Sequence, residues 1–291
     1  MIDVTYFTDP ACPWAYSASP SHTTLRWRYG EQLRWTFVMI GLTEDASKDA
    51  ADGYTPTGLA LGFKRFRRFG MPFQVTPKAR LSATGPACRA IIATRQMSPA
   101  LEIASLRALQ FSEFTTTGIL DDPDNLRSVL GGVEGLDGGA VVERIDDPEV
   151  VAAYEADRAR ARAAAGSPTE FQGKAANSDG AVRYTAPSLI FDGPDGRRLE
   201  AGGFQPIEAY DVVIANLDPT LERRPPAEEP MDVLSAFPYP LTTAEVAAAM
   251  TEHLGVPDLA GVEERLIKAT GEGRATRHPA GDGSLWAAVR G

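Results

Sequence analysis

Cysteine is nearly absent from this chain: 291 residues contain two, Cys12 and Cys88. So small a supply builds no disulfide framework and suits a reducing compartment. Histidine is almost as scarce, at three, and no His, Cys, Asp or Glu residues fall at metal-ligand spacing, so no metal site is expected. No run approaches the roughly 18 apolar residues of a membrane span. The N-terminus carries Asp3 and lacks the apolar stretch of a secretory signal. Positive charge is in deficit, with 29 Lys and Arg against 39 Asp and Glu and a net charge of −10. That balance disfavours nucleic acid and anionic membranes as partners. These absences lead to the expectation of a cytoplasmic protein with neither membrane nor nucleic acid among its partners, and with no bound cofactor.

What is present is ordinary for a globular protein: 43% hydrophobic and 23% charged residues, in a length that suits about two domains. Ile2, Val4 and Tyr6 alternate with polar residues and predict a strand, as do Leu33, Trp35, Phe37 and Met39. Between them a helix is expected from Pro13 to about Arg28, interrupted at Pro20. Strand–helix–strand implies parallel pairing. Residues 56–165 read as helical throughout, with starts at Ser98-Pro99, Asp122-Pro123 and Asp147-Pro148. Residues 167–186 are polar and predict a loop. Ser188–Phe191 and Leu199–Ala201 then predict an antiparallel pair around the turn at 192–196, followed by a helix bearing Ile207, Tyr210, Val213 and Leu217.

Arg223 to Pro230 has the composition of a linker. Beyond it, Thr242-x-x-Glu245 is a capping-box pattern, a further helix is expected over Leu259–Ala269, and Arg274–His278 and Ser284–Val289 flank a turn sequence. Helices followed by a hairpin predict a small winged-helix-like unit over 231–291. Within it five basic residues face eight acidic ones. That sign is wrong for phosphate binding, so the unit reads as a docking or dimer-forming module, with a second copy of the chain as a candidate partner.

Cys12 lies in Asp9-Pro10-Ala11-Cys12-Pro13-Trp14-Ala15, between a strand and a helix start. Amide groups and the dipole at a helix N-terminus favour a thiolate, the nucleophilic form. The competing reading is a buried structural thiol. Ala15 stands where a Cys-x-x-Cys motif has its second cysteine. Cys88, among apolar residues, reads as core. His22 is ten residues from Cys12, on the order of 15 Å along a helix, too far to take its proton. It reads as a surface or packing histidine. Phe63, Phe66 and Phe69, interleaved with Lys64, Arg65, Arg67 and Arg68, read as the apolar face of an amphipathic helix with a solvated basic face.

The order of elements, together with Asp9-Pro10-Ala11-Cys12-Pro13-Trp14 and the late Thr185-Ala186-Pro187-Ser188, resembles the thioredoxin fold of the DsbA-like superfamily, in its FrnE-like and mycothiol-dependent branch. The helical stretches 85–111 and 147–166 fit that branch. The resemblance covers about residues 1–220 and implies an α/β, thioredoxin-like domain over 1–222 with a large helical insertion at about 56–165, a linker at 223–230 and the separate unit at 231–291. It implies that Ala186-Pro187 forms a cis-proline loop beside Cys12. It further implies a catalytic Cys12, with a pKa of roughly 3.5–7.5, and a substrate surface made by Pro13, Trp14, Ala15, Ala186 and Pro187. Ala15 departs from the family pattern and removes the intramolecular release of a mixed disulfide. Three activities follow. The first is a thiol-disulfide oxidoreductase with one thiol, acting on a small-molecule thiol or a disulfide-bearing substrate and resolved by a low-molecular-weight thiol such as glutathione or mycothiol. The second is a thiol-dependent transferase or isomerase, of the kappa-class or chromene-carboxylate type. The third is a redox-inactive adaptor.

Overall fold

A computed structural model of the chain describes residues 1–177 and 180–290. Ser178 and Asp179, inside the expected loop, and Gly291, at the end of the expected C-terminal unit, lie outside the described residues.

The chain opens with β1 (Ile2–Thr8), α1 (Pro13–Ser17), α2 (Ser19–Tyr29) and β2 (Leu33–Met39). The two strands pair in parallel, Ile2 beside Leu33 through Thr8 beside Met39. The helical break expected at Pro20 falls at Ala18. Pro20 sits in the first turn of α2, where its missing N–H has no intrahelical partner to lose.

The helical insertion comprises α3 (Ala46–Ala51), α4 (Pro56–Phe66), α5 (Gly85–Met97), α6 (Glu102–Thr115), α7 (Pro123–Gly131), α8 (Gly138–Glu143) and α9 (Pro148–Ala161). The expectation that residues 56–165 are helical throughout fails over 70–84. Gly70, at φ +86°, ends the helical turn that follows α4. Pro72 and Pro77 then keep 70–84 irregular. The loop expected over 167–186 contains α10 (Pro168–Phe171), capped by Ser167, and a short ladder of β3 (Ala175–Ala176) with β4 (Arg183–Tyr184).

β5 (Ser188–Asp192) pairs antiparallel with β1 and with β6 (Arg198–Gly202), and α11 (Ile207–Leu217) follows. The sheet order is β2-β1-β5-β6. Alternation in β1 divides its side chains between two cores. Ile2, Val4 and Tyr6 join Leu25, Ile91, Leu109 and Tyr210 in the main one. Phe7 joins Val38, Ile40, Ala15 and Cys12 in another.

Residues 223–230 are tied down on both sides. Arg224 N donates to Arg28 O at 2.9 Å and Ala227 N to Ala249 O at 3.1 Å. Trp27 Nε1 donates to Pro225 O at 2.8 Å, and the Arg224 guanidinium lies 4.5 Å over the Trp27 ring. Past this strap come α12 (Pro230–Ala236), β7 (Leu241–Thr242), α13 (Thr243–Ala249), α14 (Leu259–Gly271), β8 (Ala275–Ala280) and β9 (Gly283–Ala288), with sheet order β7-β9-β8. Val246, Leu266 and Trp286 centre a small core of their own.

This C-terminal region is docked through buried polar contacts. Glu245, the capping-box residue of α13, accepts from Arg107 at 2.5 and 2.9 Å and from Thr23 Oγ1 at 3.1 Å, with its side chain fully buried. At the hairpin tip Asp282 accepts from Phe73 N at 2.7 Å and pairs with Arg67 at 2.6 Å. The tip therefore grips the irregular segment that leads from the α4 aromatics.

Candidate active site

Cys12 is the N-cap residue of α1, with Pro13 in the first position of the helix. Its backbone N–H donates to Asp9 O at 3.1 Å, and its carbonyl accepts from Tyr16 N at 3.0 Å. The Ala186–Pro187 bond is cis. Cys12 Sγ donates to Ala186 O at 3.1 Å, bringing together two positions 174 residues apart. The sulfur is enclosed: Cys12 is 6% exposed and packs among Phe7, Ala15, Val38, Tyr184 and Ala186.

That enclosure overturns the expectation of a low thiol pKa. Burial pushes the Cys12 pKa up to about 12. The N–H groups of Ala15 and Trp14 and the charge of Arg183 pull the other way, while Asp9 adds to the rise. Five residues of helix supply too few aligned amides to offset removal of the sulfur from water. The resting thiol is neutral, which agrees with its role as hydrogen-bond donor to Ala186 O.

Ala15 is fully buried behind Cys12. Trp14 is the exposed member of the motif, at 41%. Its ring meets Phe66 at 4.8 Å, Phe69 at 5.6 Å and Phe204 at 5.6 Å, and Phe69 meets Phe204 at 4.8 Å. The phenylalanines expected as one helix face thus divide. Phe63 packs inward on Phe73 and Phe114, and Phe66 and Phe69 build an aromatic rim with Trp14. Arg68 lies 4.8 Å over Phe69. Phe204 was not singled out by the sequence reading. Its signal is the Gly202-Gly203-Phe204 run at the end of β6, where Gly203, at φ +71°, turns the chain back toward Trp14.

Asp9 was read only as part of the motif, yet it organises the floor of the site. Fully buried, it accepts from Ala11 N at 2.9 Å, Leu42 N at 2.8 Å and Thr84 Oγ1 at 3.2 Å, and lies 3.6 Å from Cys88 Sγ. Burial raises its pKa and these hydrogen bonds oppose the rise. Cys88 is fully buried, and burial followed by Asp9 raises its pKa well above the usual thiol range. Both cysteines are free. His22 is a packing residue, edge-on to Tyr6 at 4.6 Å and near Trp35 and Tyr210.

The parallel β1–β2 pair, the antiparallel β5–β6 pair and the cis-proline loop facing the N-terminus of α1 decide the architecture. The fold is thioredoxin-like, of the DsbA kind. The DsbA-like architecture recurs in a Nitrosomonas europaea protein provisionally assigned as a protein disulfide isomerase, with a TM-score of 0.56 and 17% identity over 74% of this chain and 96% of that one. It recurs in a probable DsbA oxidoreductase of Streptomyces coelicolor, with a TM-score of 0.55 and 16% identity over 78% and 93%. The cytosolic disulfide reductase DsbM of Pseudomonas aeruginosa, solved with GSH, aligns with a TM-score of 0.50 and 18% identity over 74% and 98%. Neither a protein-family model nor a curated protein matches the chain. Among the described residues, no helix is long and apolar enough to cross a membrane.

Proposed function

We propose that the chain is a cytoplasmic thiol-disulfide oxidoreductase that works with one thiol. The observation carrying this reading is the 3.1 Å contact between Cys12 Sγ and the carbonyl that precedes the cis-proline, beside an exposed aromatic rim. Cys12 loses its proton and attacks one sulfur of a disulfide. A bond forms between Cys12 and that sulfur, and the other sulfur leaves as a thiolate that takes up the proton. With Ala15 at the resolving position, an external thiol attacks the substrate-derived sulfur, forms a new disulfide and returns Cys12 to the thiol state. No net electrons are gained by the protein.

Glutathione and mycothiol are the proposed resolving thiols, and the solved DsbM carries GSH. Trp14, Pro13 and the Ala186-Pro187 loop would hold the substrate, with Phe66, Phe69 and Phe204 extending the surface. At neutral pH a thiol of pKa about 12 has a thiolate fraction on the order of 10⁻⁵. Higher intrinsic nucleophilicity recovers part of that loss. The reaction is therefore slow until substrate binding opens the apolar enclosure that keeps the sulfur neutral. The C-terminal unit, winged-helix-like in its order of elements, is proposed as a docking module that also supports homodimers.

Incubation with oxidised glutathione or mycothiol disulfide, followed by intact-mass measurement, tests the reading. A mixed disulfide on Cys12 that the reduced thiol removes is the expected result. The neutral thiol favours a second reading, an adaptor that binds partners at the aromatic rim without chemistry. Its signature is binding that survives Cys12→Ser with no adduct on the parent protein.

A further inference from the structure

The aromatic rim beside Cys12 rests on a segment with little regular structure of its own. Phe66 ends α4, Phe69 ends the helical turn Arg67–Phe69, and residues 70–74 form neither strand nor helix. Irregular backbone keeps one course only where its groups find outside partners. The thioredoxin-like part supplies two: Tyr16 Oη donates to Pro72 O at 2.9 Å, and Gln74 N donates to Phe114 O at 2.6 Å. Both anchors lie beyond Phe69 in the chain.

The C-terminal unit reaches the stretch that brackets Phe69. Ahead of it, Arg67 pairs with Asp282 at 2.6 Å. After it, Gly70 lies so close to α13 that a Cβ there would stand 3.3 Å from Ala244 Cβ. Met71 Sδ accepts from Thr242 Oγ1 at 3.4 Å. Asp282 also accepts from Phe73 N at 2.7 Å, and Phe73 is fully buried. The hairpin tip is shaped for this contact: a Cβ on Gly281, at φ +55°, would come within 2.7 Å of the Phe73 carbonyl carbon. Of the two bonds that Asp282 makes, the one to Phe73 matters more. The ion pair is 38% exposed at both ends and contributes little, whereas without Asp282 a buried N–H loses its acceptor.

We propose that the C-terminal unit sets the substrate selectivity of Cys12, with Asp282 as the positioning residue that holds Phe69 against Trp14 and Phe204. The selectivity presupposes the oxidoreductase reading; the positioning of the rim does not. Aromatic contacts depend on where the rings stand, so a fixed rim favours a disulfide with an aromatic group and is indifferent to a small aliphatic one.

Reaction of the full chain with dipyridyl disulfide, an aromatic probe, and with cystamine tests the selectivity. The ratio of the two rate constants should fall about 2- to 13-fold in Asp282→Ala and in Gly281→Ala, the range of one aromatic contact. Asp282→Asn keeps an acceptor for the Phe73 N–H and should restore most of the ratio, which a general loss of stability would not allow. Fluorine NMR of protein labelled with fluorotryptophan reads the rim without any disulfide. The Trp14 resonance, identified through Trp14→Phe, should move in Asp282→Ala and Gly281→Ala and stay in place in Asp282→Asn. A moved resonance in a protein that takes no disulfide would uphold the positioning while overturning the oxidoreductase reading. An unchanged ratio with an unmoved resonance would overturn the positioning. Hydrogen exchange of the unmodified protein decides the matter even where a variant folds poorly: the Phe73 amide should open together with those of β8 and β9, and exchange at the rate of a free loop would overturn the role of Asp282.

Discussion

Cys12 gives its thiol hydrogen to the carbonyl oxygen of Ala186 at 3.1 Å, and this one contact closes the N-terminus of α1 against the cis-proline loop. A group that donates a proton in its resting hydrogen bond is stabilised in its neutral form.

Alkylation of Cys12 by iodoacetamide is therefore expected to accelerate tenfold per pH unit from about pH 8 to pH 11, without the plateau near neutrality that a thiolate would give. The same shift bears on stability. The folded pKa lies above that of the unfolded chain, so the contribution is complete below about pH 9 and is lost as pH rises toward 12. Peptide mapping separates Cys12 from the deeper Cys88. A rate independent of pH above 7 would show that the sulfur is ionised.

Trp14 is exposed and packed edge-on to Phe66, so its removal tests capture rather than folding. Trp14→Ala should slow mixed-disulfide formation with a bulky apolar disulfide about 2- to 13-fold, as loss of an aromatic contact of ~0.5–1.5 kcal/mol implies. Reaction with a small symmetric disulfide such as cystamine should change little. Stopped-flow measurement of both substrates checks the difference, and equal losses on the two would exclude a docking role for the rim.

Glu245 is a fully buried carboxylate shared by Arg107, Thr23 and its own helix N-terminus. Glu245→Ala should lower stability by about 3–5 kcal/mol, because it leaves the buried Arg107 guanidinium without its counter-charge. Urea unfolding reads the loss. A change under 1 kcal/mol would mean that the C-terminal region is held by its apolar contacts alone.

His22 is enclosed by Tyr6, Trp35, Tyr210 and Arg26, and burial, aided by Arg26, lowers its pKa to about 3. The folded value lies below the unfolded one, so stability is complete above about pH 6.5 and falls as the solution is acidified toward 3. Between pH 7 and pH 5 this single group should cost about 2 kcal/mol. His22→Gln should flatten the pH dependence by that amount. Identical slopes in parent and variant would mean that the imidazole is protonated in the fold.

The strands were legible because their patterns are local. Alternation in Ile2-Val4-Tyr6 and Leu33–Met39 needs no partner to be read, and Asp122-Pro123 carries its own helix start. The extent of α1 was less legible, because Pro20 is permitted in a first helical turn and the break moved to Ala18. The irregular 70–84 segment escaped notice because its aromatic residues look helical until Pro72 and the grip of Asp282 are considered together.

By itself the sequence determined which chemistry is on offer: one thiol next to Pro13 and Trp14, an alanine in the resolving position, and a net charge hostile to polyanions. Only the tertiary structure decided the state of that thiol. Helix amides act over a few residues and can be read along the chain, whereas desolvation depends on what arrives from far away. Phe7, Val38, Tyr184 and Ala186 converge on Cys12 from separate elements and outweigh α1, leaving the sulfur neutral. The aromatic rim was decided in the same way: Phe204 reaches Trp14 through the turn at Gly203, across 190 residues of chain that only folding brings together.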